Sequence, residues 1–504
     1  MLAAGASVGM GARAAAARSG AAQPDAAAQS PPAGDGAPFD PAGVRARAAL
    51  LAESPYRPPT LQTGAAAAVS YDGWRDLSRP RPGRAHWTDT GSLVHLEYFP
   101  TGYIFKAPVD LYEVQDGRAR VIHYDAGDFE VPDAMTDAVR SIIGLSGFRL
   151  QSPINQPAVF DEIAVFQGAS YFRSLGRDQI YGLSARGISL GTGDADEEFP
   201  DFRAFWIERP ALGASQVVVH ALLDGPSLAG AYRFVITPGD ATVFDVQASL
   251  FPRRAIANGG VAPQSSMFLF GAQDRRAVDD FRNEVHDSDG LEVRTEEGGR
   301  LWRPLMDPQT AHVSVFQAQR LVGFGLCQRA RRLDDYNDLE ARYERRPSLW
   351  VEPMGDWGPG AVHLLEMPAH DETDDNIAAF WRPAAPWQVG QEIRLAYRLS
   401  WGAGPAGDGL ASVAATRSGK AFNSTDRQFV VDFVNLPANT TGLRGVVTAS
   451  AGAAGPVSLV NFPDRAEVRA GFRFTPPASG PADIDLRLVG DGGGLSEAWR
   501  FRWT

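Results

Sequence analysis

Apolar and polar residues alternate with period two along most of this chain. SLVHLEYF (92–99), YIFKAPVDLYEV (103–114) and RARVIHY (118–124) read as half-buried strands, with Thr-Gly and Asp-Gly turns between them. The pattern returns in QVVVHALL, AYRFVITP, TVFDVQASLF, SMFLFG, HVSVFQA and VGFGL between 216 and 326, which predicts a large antiparallel β-sandwich. No stretch repeats at a fixed period, which argues against a propeller or solenoid. Helical periodicity shows at FDPAGVRARAALLA (39–52), where Asp40 can cap, Pro41 suits the first turn and Val44, Ala48, Leu50 and Leu51 supply an apolar side. A second short helix is expected at PDAMTDAVRSIIG (132–144), ending on Gly144.

Near WRPAAPWQVGQ (381–391) the composition shifts to proline and tryptophan. Beyond it EIRLAYRLSW, RQFVVDFVNL, AEVRAGFRFTP, ADIDLRLVG and EAWRFRW are compact alternating runs. About seven such strands in roughly 110–120 residues suit a small immunoglobulin-like sandwich. The expectation is therefore an all-β protein: a tail at 1–38, a large sandwich at 39–385, and a small sandwich at 386–504.

Composition narrows the functions. The 53 glycines and 36 prolines favour strands and turns over long helices. A net charge of −12, with no Lys/Arg cluster interleaved with aromatics, argues against a nucleic-acid partner. One cysteine, Cys327 in GFGLCQ, allows no intrachain disulfide and reads as a small buried apolar residue. The Ala/Gly-rich start, MLAAGASVGMGARAAAARSG, reads as a damaged or truncated export signal, with a disordered tail as the plain alternative. No later apolar run is long enough to span a bilayer.

Familiar catalytic motifs are missing. GASVG (5–9) fits a nucleophile elbow only by chance, since no strand precedes it. Two acidic segments carry more promise. HDETDDNIAAFW (370–381) puts Asp371, Glu372, Asp374 and Asp375 directly before Ile377, Phe380 and Trp381. HDSDG (286–290) imitates part of a calcium loop through Asp287, Asp289 and Gly290, but the remaining ligand positions are missing, so no metal is expected. Acids backed by apolar sequence suit glycoside hydrolysis, where one carboxyl protonates the leaving oxygen and another activates water. The plainer alternative is that these acids cap turns and hold arginines.

Several long blocks resemble one family. GASYFRSLGRDQIYGLSARG (168–187), EEFPDFRAFWIERP (197–210), SMFLFG (266–271), HDSDGL (286–291) and DETDDNIAAFW (371–381) together are similar to the periplasmic glucan biosynthesis proteins, G and D. The resemblance implies the two-sandwich fold, a periplasmic location, a β-1,2-glucan substrate and no cofactor. It implies an inverting endo-β-1,2-glucanase in which Asp375 is the general acid and Asp287 the base. Inversion with a directly activated water needs carboxyls about 6.5–9.5 Å apart. Tyr343, in the R-Y-x-x-R-P-S block, is implied as a cleft residue, and Glu372, among the electrostatic surroundings of the acid, is expected to bind substrate. Arg186, Tyr171, Trp206, Glu208, Arg209 and Trp381 lie in matching blocks, as cleft lining or as core and salt-bridge residues. Two departures stand out. Asp374 replaces the family's usual Asn, and the 401–427 region around Thr416-Arg417-Ser418 differs most from a loop that closes the cleft in relatives, making a homodimer a possible assembly. A cyclising transglycosylase of the same family and a non-catalytic glucan-binding factor remain as alternatives. A calcium-dependent adhesin is a third class.

Overall fold

The computed structural model describes residues 36–504 apart from 89–90, 276–277, 298, 439 and 463. Most of the expected tail, with its reading as an export-signal remnant, lies outside the described residues. Its last positions, Ala37–Pro38, form a short strand paired with Arg118–Ile122.

The helix Pro41–Ala52 forms where expected. The Asp40 side chain accepts from Ala42 N at 3.0 Å, and Pro41 starts the helix where an amide would have no partner. Only Val44 and Ala48 are buried; Leu50 is exposed, so the apolar stripe is narrower than the sequence suggested. The helix packs on a small cluster containing Tyr112, Trp206 and Leu222. The second expected helix is a 3-10 turn, Asp133–Met135, running into Thr136–Ser141.

Two large sheets carry most of the rest, beside a five-stranded and a two-stranded sheet. A sixteen-stranded sheet centres on Val217–Asp224, Leu228–Thr237 and Thr242–Pro252 and continues through Ile393–Gly402, Ser348–Pro353 and Leu321–Cys327. A ten-stranded sheet places Gly360–Glu366, Ile377–Pro383, Gly259–Ser266, Ser184–Arg186 and Tyr171–Ser174 side by side. Period-two alternation explains the layering: Thr242–Pro252 buries every second residue. Between the sheets, Phe172 lies 5.2 Å from Phe166, 5.3 Å from Phe234 and 5.9 Å from Trp401, centroid to centroid. Each such buried ring contributes about 1.5–3 kcal/mol. The fold is all-β and mostly antiparallel, with parallel pairings at Asp201–Glu208/Asp110–Gln115 and Gly299–Pro304/Ala498–Trp503.

Strand pairing runs through the boundary expected at 385. Ile393–Gly402 sits between Thr242–Pro252 and Ser348–Pro353, and Ile393, Tyr397, Leu399 and Trp401 join the main core. The Pro/Trp-rich stretch is a crossover from the ten-stranded sheet into the larger one, held where Trp387 exchanges backbone hydrogen bonds with Ile256 at 2.8 and 2.9 Å. The small sandwich's own strands begin at Ser412. Ser412–Lys420, Arg427–Val434 and Val468–Thr475 enclose Phe429, Phe472, Trp499 and Phe501 together with Ala482–Gly490 and Ala498–Trp503. Buried charges join the two sandwiches: Glu497 pairs with Arg329 at 2.6 Å and Arg300 at 2.7 Å, and both arginines also reach Glu292 at 2.8 Å. Cys327 is buried beside this junction. No helix among the described residues is long and apolar enough to cross a membrane.

Candidate active site

Phe172 and Ala185 point into the core, so Tyr171, Arg173, Ser184 and Arg186 project from the opposite face of the ten-stranded sheet. Arg173 Nε donates to Ser184 Oγ at 2.6 Å, and Arg173 Nη2 lies 3.8 Å from Asp375 Oδ2. Asp375 stands two residues before the strand Ile377–Pro383, and its neighbour Asn376 explains its placement. Asn376 Oδ1 accepts from Phe268 N, while its Nδ2 donates to the carbonyls of Phe268 and Met367, all at 2.9 Å. Asp287 is anchored on the same segment: its amide donates to Met267 O at 2.9 Å, and His286 pairs with Phe268. Met267–Phe268 thus holds both acidic segments, which are far apart in sequence.

The two carboxyls differ in surroundings. Burial pushes Asp375 up to about 6; Asp287 and Asp374 reinforce the rise, and Arg173 and Arg346 oppose it. About a fifth of its side chain, 19 %, still reaches solvent. Asp287 is buried and ion-paired with Arg346. The Arg346 guanidinium lies 4.2 Å from the centroid of the Tyr343 ring. Tyr343 OH donates to Glu372 Oε2 at 2.8 Å, and Arg282 donates to the same oxygen at 2.5 Å and to Asp338 at 3.1 Å. Burial raises the Tyr343 phenol far above its ordinary value, so it stays a neutral donor. Asp287, Arg346, Tyr343, Glu372 and Arg282 form one polar chain leading to Asp375's own loop.

Other expected residues fall into different places. Asp374 accepts from His370 N at 2.9 Å and approaches His370 Nδ1 at 3.3 Å, closing its own turn. Tyr171 lies against Arg186, whose guanidinium is 5.2 Å from its ring centroid and 2.8 Å from Glu197. Trp381 is fully buried in the main core and Trp206 is stacked on Tyr112 at 5.3 Å under the first helix. Neither indole presents a face to a sugar. Glu208 pairs with His220 at 2.7 Å, and Arg209 with Glu113 at 3.5 Å, both on the strand end that carries Trp206.

The calcium-like segment is already partnered. Asp289 Oδ2 accepts from Ala330 N at 2.7 Å and from Arg329 N. Gly290 opens a strand, where a Cβ would meet the Trp302 ring at 2.5 Å. Glu284, His286 and Asp289 place ligand atoms within 4.8 Å of one another. His286 Nε2, however, lies 2.8 Å from Glu284 Oε2, a direct hydrogen-bond distance shorter than two ligands of one ion keep, and Nδ1 faces the Gln328 side-chain oxygen at 3.0 Å. Thr416-Arg417-Ser418 is part of a strand: Thr416 accepts from Trp499 Nε1 at 2.9 Å, Arg417 pairs with Asp432 at 2.7 Å, and Ser418 Oγ donates to Gln273 O at 2.9 Å. The segment therefore docks onto the loop after Phe268–Phe270 within its own chain. Sequence reasoning did not single out Arg173, Arg346 or Asn376, although all three lie inside quoted blocks. Cavities of about 460 and 650 Å³ occur elsewhere, and their linings include neither Asp375 nor Asp287.

Fold and site together define a two-sandwich β protein with paired carboxyls beside the ten-stranded sheet. Residues 39–503 match the family described as "Periplasmic glucan biosynthesis protein, MdoG", and the chain belongs to that family. It is 44 % identical over 474 residues to "Glucans biosynthesis protein G" of Rhodopseudomonas palustris strain BisA53, covering 93 % of this chain and 94 % of that one. It is 43 % identical over 476 residues to "Glucans biosynthesis protein G" of Vibrio cholerae strain O395, covering 92 % and 87 %.

Proposed function

We propose that this protein cleaves β-1,2-linked glucan in the periplasm as an inverting endo-glucanase, with Asp375 as general acid and Asp287 as general base. Membership of a glucan biosynthesis family supports a glucan substrate. The observation that carries the chemistry is the contrast between the two carboxyls. Asp375 is raised to about 6 and so retains its proton toward neutral pH, as a proton donor to a leaving oxygen must. Asp287 is ion-paired to Arg346 and shares its anchor with Asp375. Asp375 would protonate the departing glycosidic oxygen while Asp287 takes a proton from the attacking water. The chain Arg346–Tyr343–Glu372 would orient these groups and bind sugar hydroxyls at its half-exposed end, Glu372.

Incubation with linear β-1,2-glucan followed by chromatography tests the reading. Shortened linear chains with an inverted new reducing end support it. Ring products point to cyclising transglycosylation by the same acid, and unchanged glucan with binding intact overturns the enzymatic reading.

A further inference from the structure

His286 is fully buried beside Asp287, and its protonation state can be read from its partners. The Gln328 side-chain amide is the key. Its Nε2 donates to His286 O at 3.0 Å and to Tyr343 O at 3.2 Å, using both hydrogens. Its Oε1 therefore faces His286 Nδ1, at 3.0 Å, and a carbonyl oxygen only accepts. Nδ1 must carry a hydrogen. On the other side, His286 Nε2 lies 2.8 Å from Glu284 Oε2 and 3.4 Å from Asp289 Oδ1. Ionised carboxylates also only accept, so between Glu284 and Asp289 in that form Nε2 carries a hydrogen too.

We propose that His286 is a buried imidazolium that holds the Asp287 segment in register against Phe268 and Tyr343, a positioning residue for the reaction proposed above. The ring stacks on Phe268 at 5.3 Å and meets the edge of Tyr336 at 5.2 Å. The charged and titratable groups around it are Glu284 and Asp289, which face Nε2, the Tyr336 phenol, which donates to Ala330 O at 3.2 Å, and Arg331, which interacts with Asp289. Burial lowers the proton affinity of His286, and Asp289 and Glu284 outweigh that effect, leaving it raised. Loss of either proton would set a lone pair against an acceptor oxygen. The segment would then move, and Asp287, the next residue, would shift relative to Arg346 and Asp375.

A raised folded value means that the stabilisation is fully present below the unfolded value, about 6.5, and is lost as pH rises through the folded one. Imidazole nitrogen NMR on the full chain tests the charge: both His286 nitrogens should give imidazolium signals at pH 7, and a neutral tautomer there overturns the proposal. Glu284→Gln keeps an acceptor oxygen and removes one charge. It should lower the His286 titration by about one pH unit or more. The ratio of variant to wild-type kcat on β-1,2-glucan should then fall several-fold at pH 7.5 and recover at pH 5.5, with KM within about twofold; the Asp375 titration cancels in that ratio. An unmoved titration, or a pH-independent ratio, overturns the positioning role. This inference rests on the glucanase reading only for its kinetic arm. A chain inactive on glucan would defeat that reading while the NMR arm still decides the imidazolium.

Discussion

Asn376 and Phe268 exchange two hydrogen bonds, amide to Oδ1 and Nδ2 to carbonyl, each 2.9 Å long. A side-chain amide thus stands in for a strand partner and ties the acidic loop to the segment that also carries Asp287. Replacing Asn376 by Asp would remove the donor and leave the buried carbonyls of Phe268 and Met367 without it. We expect a stability loss of about 2–4 kcal/mol and a larger fall in kcat than in binding, measured by chemical denaturation and steady-state kinetics.

The raised acid fixes the direction of the pH profile. As the proposed proton donor, Asp375 acts in its protonated form, so kcat/KM should fall as pH rises through about 6. Asp374 contributes to that rise. Asp374→Asn should move the alkaline limb to lower pH, and a limb that stayed in place would remove Asp374 from any tuning role.

The same group carries a stability cost. A carboxyl at about 6 in the folded state against 3.8 in its ordinary state contributes stability at low pH that is lost as pH rises between the two values. Asp375→Asn should therefore raise stability at pH 7.5 by about 2 kcal/mol while activity is lost. Thermal melts at pH 4 and 7.5 check this, with the gain confined to the higher pH.

Trp206 sits with Tyr112 beneath the first helix, away from the carboxyls. Trp206→Ala should cost about 3–5 kcal/mol of stability. Trp206→Phe should fold and leave KM for glucan unchanged. A large KM rise in the Phe variant would return this residue to the binding site.

The layered β fold was legible because half-buried strands declare themselves by period two, as in TVFDVQASLF. The Asp40 cap was equally plain. The edge of the large sandwich was not. Proline and tryptophan at 381–391 look like a linker, but a crossover between sheets needs the same turn residues. The acidic pair emerged from the resemblance, while the plain residue pattern left it open. For the tryptophans both readings stayed open for a physical reason: indoles in strands fill cores as readily as they line clefts, and Trp381 lies in the main core. Arg173, Arg346 and Asn376 matter through contacts across distant segments, which no local pattern reports.

Comparison of Asp375→Asn with wild type on two substrates tests the proton donor most directly. On linear β-1,2-glucan, whose leaving alcohol needs a proton, the variant should lose about 10²–10⁴-fold in kcat. On a β-1,2-gluco-oligosaccharide bearing an acidic phenol as leaving group, which departs without help, it should retain most of the wild-type rate. Full activity of the variant on the polymer, or equal losses on both substrates, would contradict the assignment of Asp375 as the acid.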